Sequence, residues 1–287
     1  MSNGINKRQN EDNSIAMLAA QRQLYRKIEK LDIFNIFVSV VFPFIISLIL
    51  IFFPNWDVAN TITYILSIVM LGLSIIIENY NREKKEWAAS IQQTFDVYVY
   101  NMPWDKALFG EHNNLTEIIA EQSKVILKNE KERKELLNWY TPKVDELPIE
   151  KGILACQRIN HNWDVGLRKR YKFAAIIMVI VLTVIIIGIG VFRNEPIQEL
   201  LARMVLFLPM LHWLIPLYNN LGRDVKRLDK LDKEINSPGD KDMEALQLIQ
   251  KSIFEHRKNA IKVPDGIYKL FKDNDEDKER RIVQLNL

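Results

Sequence analysis

The longest apolar run in the chain is Phe173 to Phe192, "FAAIIMVIVLTVIIIGIGVF". Its 20 residues include no ionisable side chain, and only Thr183 is polar. A bilayer core about 30 Å thick needs roughly 20 helical residues at about 1.5 Å each. A helix in a soluble core would keep one polar stripe, so the pattern predicts a membrane span. Three more runs pass the same test: 33–53, with Asn35 near its start and Pro43 near its centre; 60–77; and 200–218, which carries Arg203, Pro209, His212 and Pro216. Arg203 lies within a turn of the end of its run, where its stem can reach the interface. The run at 33–53 starts too late, and is too long, for the core of a cleaved signal peptide.

The remaining segments also follow a helical period. In 1–32, Ile15, Leu18, Tyr25, Ile28 and Leu31 mark an amphipathic helix leading into the first span. In the insert 78–172, Leu115, Ile118, Ile119, Val125, Ile126, Leu136 and Leu137 share a 3.6-residue repeat. Asn114 with Glu117 predicts a helix N-terminus, and a helix opening at Pro148 meets no break before Lys172. Ile91, Phe95, Tyr98, Val99 and Met102 continue the second span as a helix stopped by Pro103, although "FDVYVY" also alternates like a strand. In 219–287, Leu221, Val225, Leu228, Asp232 and Ile235 form one face, and "NSPG" at 236–239 ends it. Met243, Leu246, Ile249, Ile253 and Phe254 mark a further helix, before an apolar hook at 263–271 and a charged tail.

These elements predict an all-α fold: a four-helix transmembrane protein of two hairpins, 33–53 with 60–77 and 173–192 with 200–218. An α-helical cytoplasmic domain is expected from the central insert and the C-terminal region. Charge orients it. Six lysines and arginines precede the first span, the loop after it has none, and only Arg193 lies between the third and fourth spans. The long insert and the C-terminal segment are rich in both, which places both termini and the insert in the cytoplasm. The lone Cys156 excludes an intramolecular disulfide and fits a reducing compartment.

Catalytic signatures are missing: there is no phosphate-cradling glycine loop, no "HExxH", no paired cysteines and no nucleophile elbow. The chain is therefore not expected to be an enzyme, and no cofactor or metal is expected. His161 beside Asp164 is ordinary helical spacing, and Cys156 has the character of a small buried residue. His212 is the one ionisable group deep in a span, open to a functional role or to a hydrogen bond across the bundle. Pro209 and Pro216, seven apart, are expected to bend the fourth helix as gating elements or as plain structure. Arg168, Lys169, Arg170 and Lys172 suit anchoring to anionic lipid.

Two sets of residues are singled out, one for coupling and one for ligand binding. Phe95, Pro103, Trp104 and Asp105, in an aromatic-rich segment, are placed to couple the insert to the spans. Arg158, Trp104, Trp163 and Tyr98, with Asn160 on the Trp163 face, would combine an anion clamp with stacking surfaces, as nucleotides require. Plain aromatic packing between two long helices is the competing account.

Four stretches carry a family resemblance: "LAAQRQLYRKIEKL" (18–31), "IQQTFDVYVYNMPWD" (91–105), "CQRINHNWDVGLRKRY" (156–171) and "VPDGIYKLF" (263–271). In this order around four spans, the chain resembles the SMODS-associating four-transmembrane effector family. That resemblance implies an anti-phage effector that answers a cyclic di- or trinucleotide by permeabilising the bacterial inner membrane. A four-span monomer is too small to enclose a wide path, so a pore implies a homo-oligomer. No nucleic-acid polymer is an expected partner. The alternative is a membrane-anchored scaffold or sensor that recruits a cytoplasmic partner and leaves permeability unchanged. An ion-coupled transporter is disfavoured because the spans hold no carboxylate.

Overall fold

Apolar residues recur at helical spacing along nearly the whole chain, and every regular element among the described residues is helical. The computed structural model describes residues 2–53, 57–110, 115–161, 165–198, 201 and 207–264. The α-helices are α1 (Ile5–Gln9), α2 (Asp12–Ile36), α3 (Phe42–Phe52), α4 (Asp57–Tyr100), α5 (Lys106–Phe109), α6 (Thr116–Leu127), α7 (Glu130–Lys134), α8 (Ile149–His161), α9 (Val165–Phe192), α10 (Leu208–Ile235) and α11 (Met243–Asn259). A π-helical turn at Phe37–Val41 joins α2 to α3, and a 3₁₀ turn at Pro142–Glu146 precedes α8.

The chain forms two units. Unit 1 comprises Met1–Ile28, Asn81–Val165 and Arg223–Ala260; unit 2 comprises Glu29–Tyr80, Gly166–Gly222 and Ile261–Leu287. In unit 2, Tyr171, Ala175, Val179 and Ile186 of α9 meet Met210, Trp213, Leu217 and Leu221 of α10, with Val40 and Ile51 closing the same core. Its outer faces are apolar. Ile33, Phe37, Val41, Ile45, Ile49 and Phe52 recur every three or four residues along one exposed line, and Phe173, Ile177, Val181 and Val184 do so on α9. In water such a surface is an aggregation hazard; in hydrocarbon it is the expected exterior.

Among the described residues three helical stretches are long and apolar enough to cross a membrane: Asp12–Phe52, Ile65–Tyr100 and Leu167–Phe192. They carry the first three expected spans. The fourth, 200–218, is described from Phe207 onward, where α10 enters and continues to Ile235. The π turn has a local cause. Pro43 cannot donate to the carbonyl four residues back and its ring crowds that turn, and the widened turn immediately precedes it, with Phe42 donating to the Phe37 carbonyl.

Unit 1 is a compact arrangement around Leu18, Ile91, Phe95, Val99, Tyr100, Leu136, Tyr140 and Ile153. Several local expectations need correction here. α4 ends at Tyr100, ahead of Pro103, because Asn101 adopts a left-handed conformation with φ 53°. The Asn101 and Met102 amides then donate to the Tyr98 and Val97 carbonyls, the double bond of a Schellman stop. Residues 115–137 do not form one helix. The Asn129 side chain accepts from the Lys131 and Glu132 amides, starting a second helix, and Val125 and Leu137 lie exposed. Pro148 stands just outside α8, its carbonyl accepting the Gly152 amide. Pro209 occupies the second position of α10, where a missing N–H costs nothing, so only Pro216 interrupts that helix. Asn114 and residues 162–164 lie outside the described residues, so neither the capping pair nor helical continuity from Pro148 to Lys172 is observed.

Candidate functional site

Three polar side chains occupy an otherwise apolar helical face in unit 1. Gln93, Asp96 and Tyr100 follow at i, i+3 and i+7 on α4, and all three are fully buried. A buried carboxylate is costly unless it is paired and hydrogen-bonded. Asp96 meets that requirement. Arg257 Nη1 of α11 stands 2.5 Å from Asp96 Oδ2, with its side chain 10% exposed. Gln250 Nε2 donates to the same oxygen at 3.1 Å, and the Tyr140 hydroxyl donates to Oδ1 at 2.7 Å.

The Tyr140 hydroxyl in turn accepts from the Tyr100 hydroxyl at 2.9 Å and from Asn160 Nδ2 at 3.0 Å. Around its backbone, Gln9 accepts the Tyr140 amide and donates to the Tyr140 carbonyl. Gln250 Nε2 also reaches Gln93 Oε1 at 2.9 Å, and Gln157 Nε2 of α8 donates to Gln250 Oε1 and to the Leu246 carbonyl. The ring of Phe95 stacks beside Tyr140, with centroids 6.3 Å apart. Helices α1, α4, α8 and α11 and the turn at Tyr140 thus converge on one carboxylate.

The electrostatics follow from burial and that charge. Burial, then the Asp96 charge, pushes both tyrosine hydroxyls well above their ordinary range, so they remain donors. Burial opposes the Arg257 charge, but Asp96 outweighs it and holds the guanidinium above its ordinary value. Cys156 lies in the same core, where burial and then Asp96 raise its thiol pKa. An apolar pocket beside a negative charge makes that thiol inert.

The five residues expected to bind a ligand do not share this environment. Asn160 joins the network. Tyr98 is 43% exposed and its hydroxyl turns to the Glu11 carboxylate. Trp104 packs on Phe109, centroids 5.5 Å apart, and its indole N–H donates to the Gly110 carbonyl. Arg158 is exposed on α8, on the side away from Cys156 and Gln157. Trp163 lies outside the described residues, as do Asp164 and the side chain of His161.

Of the expected coupling residues, Phe95 is buried in the core. Asp105 caps α5, accepting from the Ala107 and Leu108 amides, and the Pro103 carbonyl accepts from Gln247 of α11 at 3.3 Å. The network's own members, apart from Asn160, were missed. The available signal was Asp96 itself, the one charge between Ile91 and Trp104, sitting on the apolar face beside Phe95.

In unit 2 the polar residues turn inward. The Ser39 hydroxyl donates to Asn35 Oδ1 at 3.2 Å and meets the Ser74 hydroxyl at 3.3 Å. Asn35 also hydrogen-bonds the Glu78 carboxylate, and His212 Nε2 stands 3.7 Å from Glu78 Oε2. His212 therefore faces a carboxylate at the end of the second span. Among the basic residues assigned to lipid, Arg168 departs from expectation. It is 5% exposed and its guanidinium donates to the Ile261 carbonyl at 2.7 Å. Lys169 is exposed, Arg170 partly exposed, and the Lys172 ammonium sits 3.7 Å from the centre of the Tyr218 ring.

Residues 3–284 match the family model described as "SMODS-associating 4TM effector domain". A protein of Bacillus cereus (strain VD146), described as "Probable CBASS effector molecule", is 24% identical over 291 residues, covering 98% of this chain and 96% of that protein. No solved structure matches the chain.

Proposed function

Because the chain belongs to the SMODS-associating four-transmembrane effector family, an anti-phage defence membrane protein, we propose that it permeabilises the bacterial inner membrane when a cyclic di- or trinucleotide appears on infection. It acts without catalysis, by repacking or assembling as a homo-oligomer, with both termini and the insert in the cytoplasm. The relative's description as an effector supports this reading. The observation that carries it is the outer surface of unit 2, which is apolar along the exposed lines of α3 and α9. That surface supports a hydrocarbon surrounding, and polar groups such as Ser39 and Ser74 meet one another between helices.

A ligand can shift the resting arrangement only by binding the active one more tightly, by about 5.5 kcal/mol for a near-complete switch. The lysine- and arginine-rich insert and the buried polar centre of unit 1 are where such a difference can be generated. Liposomes loaded with a self-quenching dye and holding the purified protein test the proposal against a panel of cyclic di- and trinucleotides. Release with one ligand is expected. Silence across the panel, with insertion verified, would favour the scaffold that recruits a partner without altering permeability.

A further inference from the structure

The polar network in unit 1 satisfies most of its members and leaves three atoms over. Gln93 Nε2 on α4, Gln157 Oε1 on α8 and Arg257 Nη2 on α11 are buried and have no hydrogen-bond partner among the described residues. Each belongs to a side chain whose other polar end is already held in the network. A buried group left unmade costs about 1–3 kcal/mol, so three in one network call for partners, which ordered water, an ion or a ligand supplies.

The chemistry of the three is complementary to a nucleotide. One carboxamide presents a spare donor and the other a spare acceptor, and the Watson–Crick edge of every nucleobase offers an acceptor beside a donor. The guanidinium has one arm on Asp96 and the other unoccupied, so it can receive a phosphodiester oxygen without leaving its partner. Gln250 and Tyr140 also donate to Asp96, so a phosphodiester on the free arm would share the single guanidinium charge with a carboxylate that has further donors.

We propose that the junction of α4, α8 and α11 is the seat of the activating ligand, with Gln93 Nε2 and Gln157 Oε1 meeting a base edge and Arg257 Nη2 a phosphodiester. The assignment rests on the cyclic-nucleotide reading above. Entry requires α11 to part from α4 and α8, so binding and repacking are one event, and the ligand favours the parted state by its own contacts.

The test is binding of radiolabelled cyclic di- and trinucleotides to the full-length protein in detergent, for the wild type, Gln93→Leu, Gln157→Leu, the double variant and Arg257→Lys. The lysine keeps a cation on Asp96 and removes only the spare arm. Labelling of Cys156, slow in a folded unit 1, checks that each variant is intact. Wild type is expected to bind one member of the panel, each single variant about tenfold more weakly, and the double variant about a hundredfold more weakly. Wild-type affinity in both the double variant and Arg257→Lys overturns the site: three atoms that serve only ordered water give this result. If ligand-triggered dye release survives in those variants, the effector reading stands while the site falls. A wild type that binds none of the panel sinks both.

Discussion

The Asp96–Arg257 pair yields the sharpest test of how unit 1 is held together. Asp96 is fully buried and Arg257 nearly so, at 2.5 Å. Asp96→Asn keeps the shape but leaves one acceptor oxygen where Tyr140 and Gln250 used two, and strands a nearly buried guanidinium without its counter-charge. Breaking a buried pair by removing one charge costs about 3–5 kcal/mol. Cys156 provides the readout, since its thiol is buried and its pKa is raised by the same surroundings. Where local opening is fast compared with labelling, its rate follows the population of the open state.

At about 1.4 kcal/mol per tenfold change, Asp96→Asn should label about a hundred to a few thousand times faster than wild type. Replacing the pair by apolar groups of similar volume, Asp96→Leu with Arg257→Met, should recover part of that loss, because the desolvation cost disappears with the charges while Tyr140 and Gln250 lose an acceptor. Labelling of Asp96→Asn at the wild-type rate would refute the reasoning. So would a double variant as open as the single one, since the damage would then come from packing alone.

Three further outcomes follow from individual contacts. Asp145 accepts from Ser2 Oγ at 2.5 Å and from the Asn6 amide at 3.1 Å, and the Ser2 bond, opposed by slight burial, holds its carboxyl below the ordinary value. A carboxyl depressed in the folded state stabilises above its unfolded pKa and loses that contribution as pH falls through the folded one. Proteolysis near residues 2–9 should therefore increase at acid pH, and Asp145→Asn should abolish that dependence. Asn101→Ala removes a residue that tolerates φ 53° and should destabilise unit 1 by about 1 kcal/mol in a thermal unfolding curve, with Asn101→Gly neutral or better. Glu78→Gln removes the carboxylate facing His212 and Asn35; membrane depolarisation on activation should change in this variant, as it should in His212→Ala. Identical depolarisation in all three proteins would remove the pair from any gating role.

How much of this was legible depends on which force sets each feature. Spans such as 173–192 are specified by composition alone, so they were readable, as were the amphipathic faces of α10 and α11. Helix ends were less so. Pro103 looks like a stop, yet the backbone had already stopped at Asn101, because an asparagine in the left-handed region closes two carbonyls at once. The break at Asn129 was hidden for a similar reason: its carboxamide starts a new helix inside a run whose apolar period continues unchanged. The Asp96 network could not be read as a whole, since its directly bonded members lie up to 161 positions apart, as Asp96 and Arg257 do, and no local period links them. Asn160 was singled out, but for an aromatic partner, Trp163, and not for the Tyr140 hydroxyl it meets.

The two units use polar groups for opposite ends. In unit 2, hydrocarbon supplies no hydrophobic preference between alternative helix pairings, so weak interhelical bonds such as Ser39 to Ser74 and Asn35 to Glu78 decide register at about 1 kcal/mol or less each. Such contacts are easily exchanged for others of the same kind. In unit 1, the buried pair and its donors make one arrangement costly to leave unless every group finds a new partner. A ligand that offers those partners acts where the cost is concentrated, and the helices of unit 2 can then repack at little cost of their own. α4 carries residues of both kinds, Ser74 and Asp96, in one unbroken helix. A flexible insertion after Tyr80, such as four glycines, should therefore leave ligand binding by unit 1 intact while suppressing dye release, and release at the wild-type rate would show that α4 does not transmit the signal.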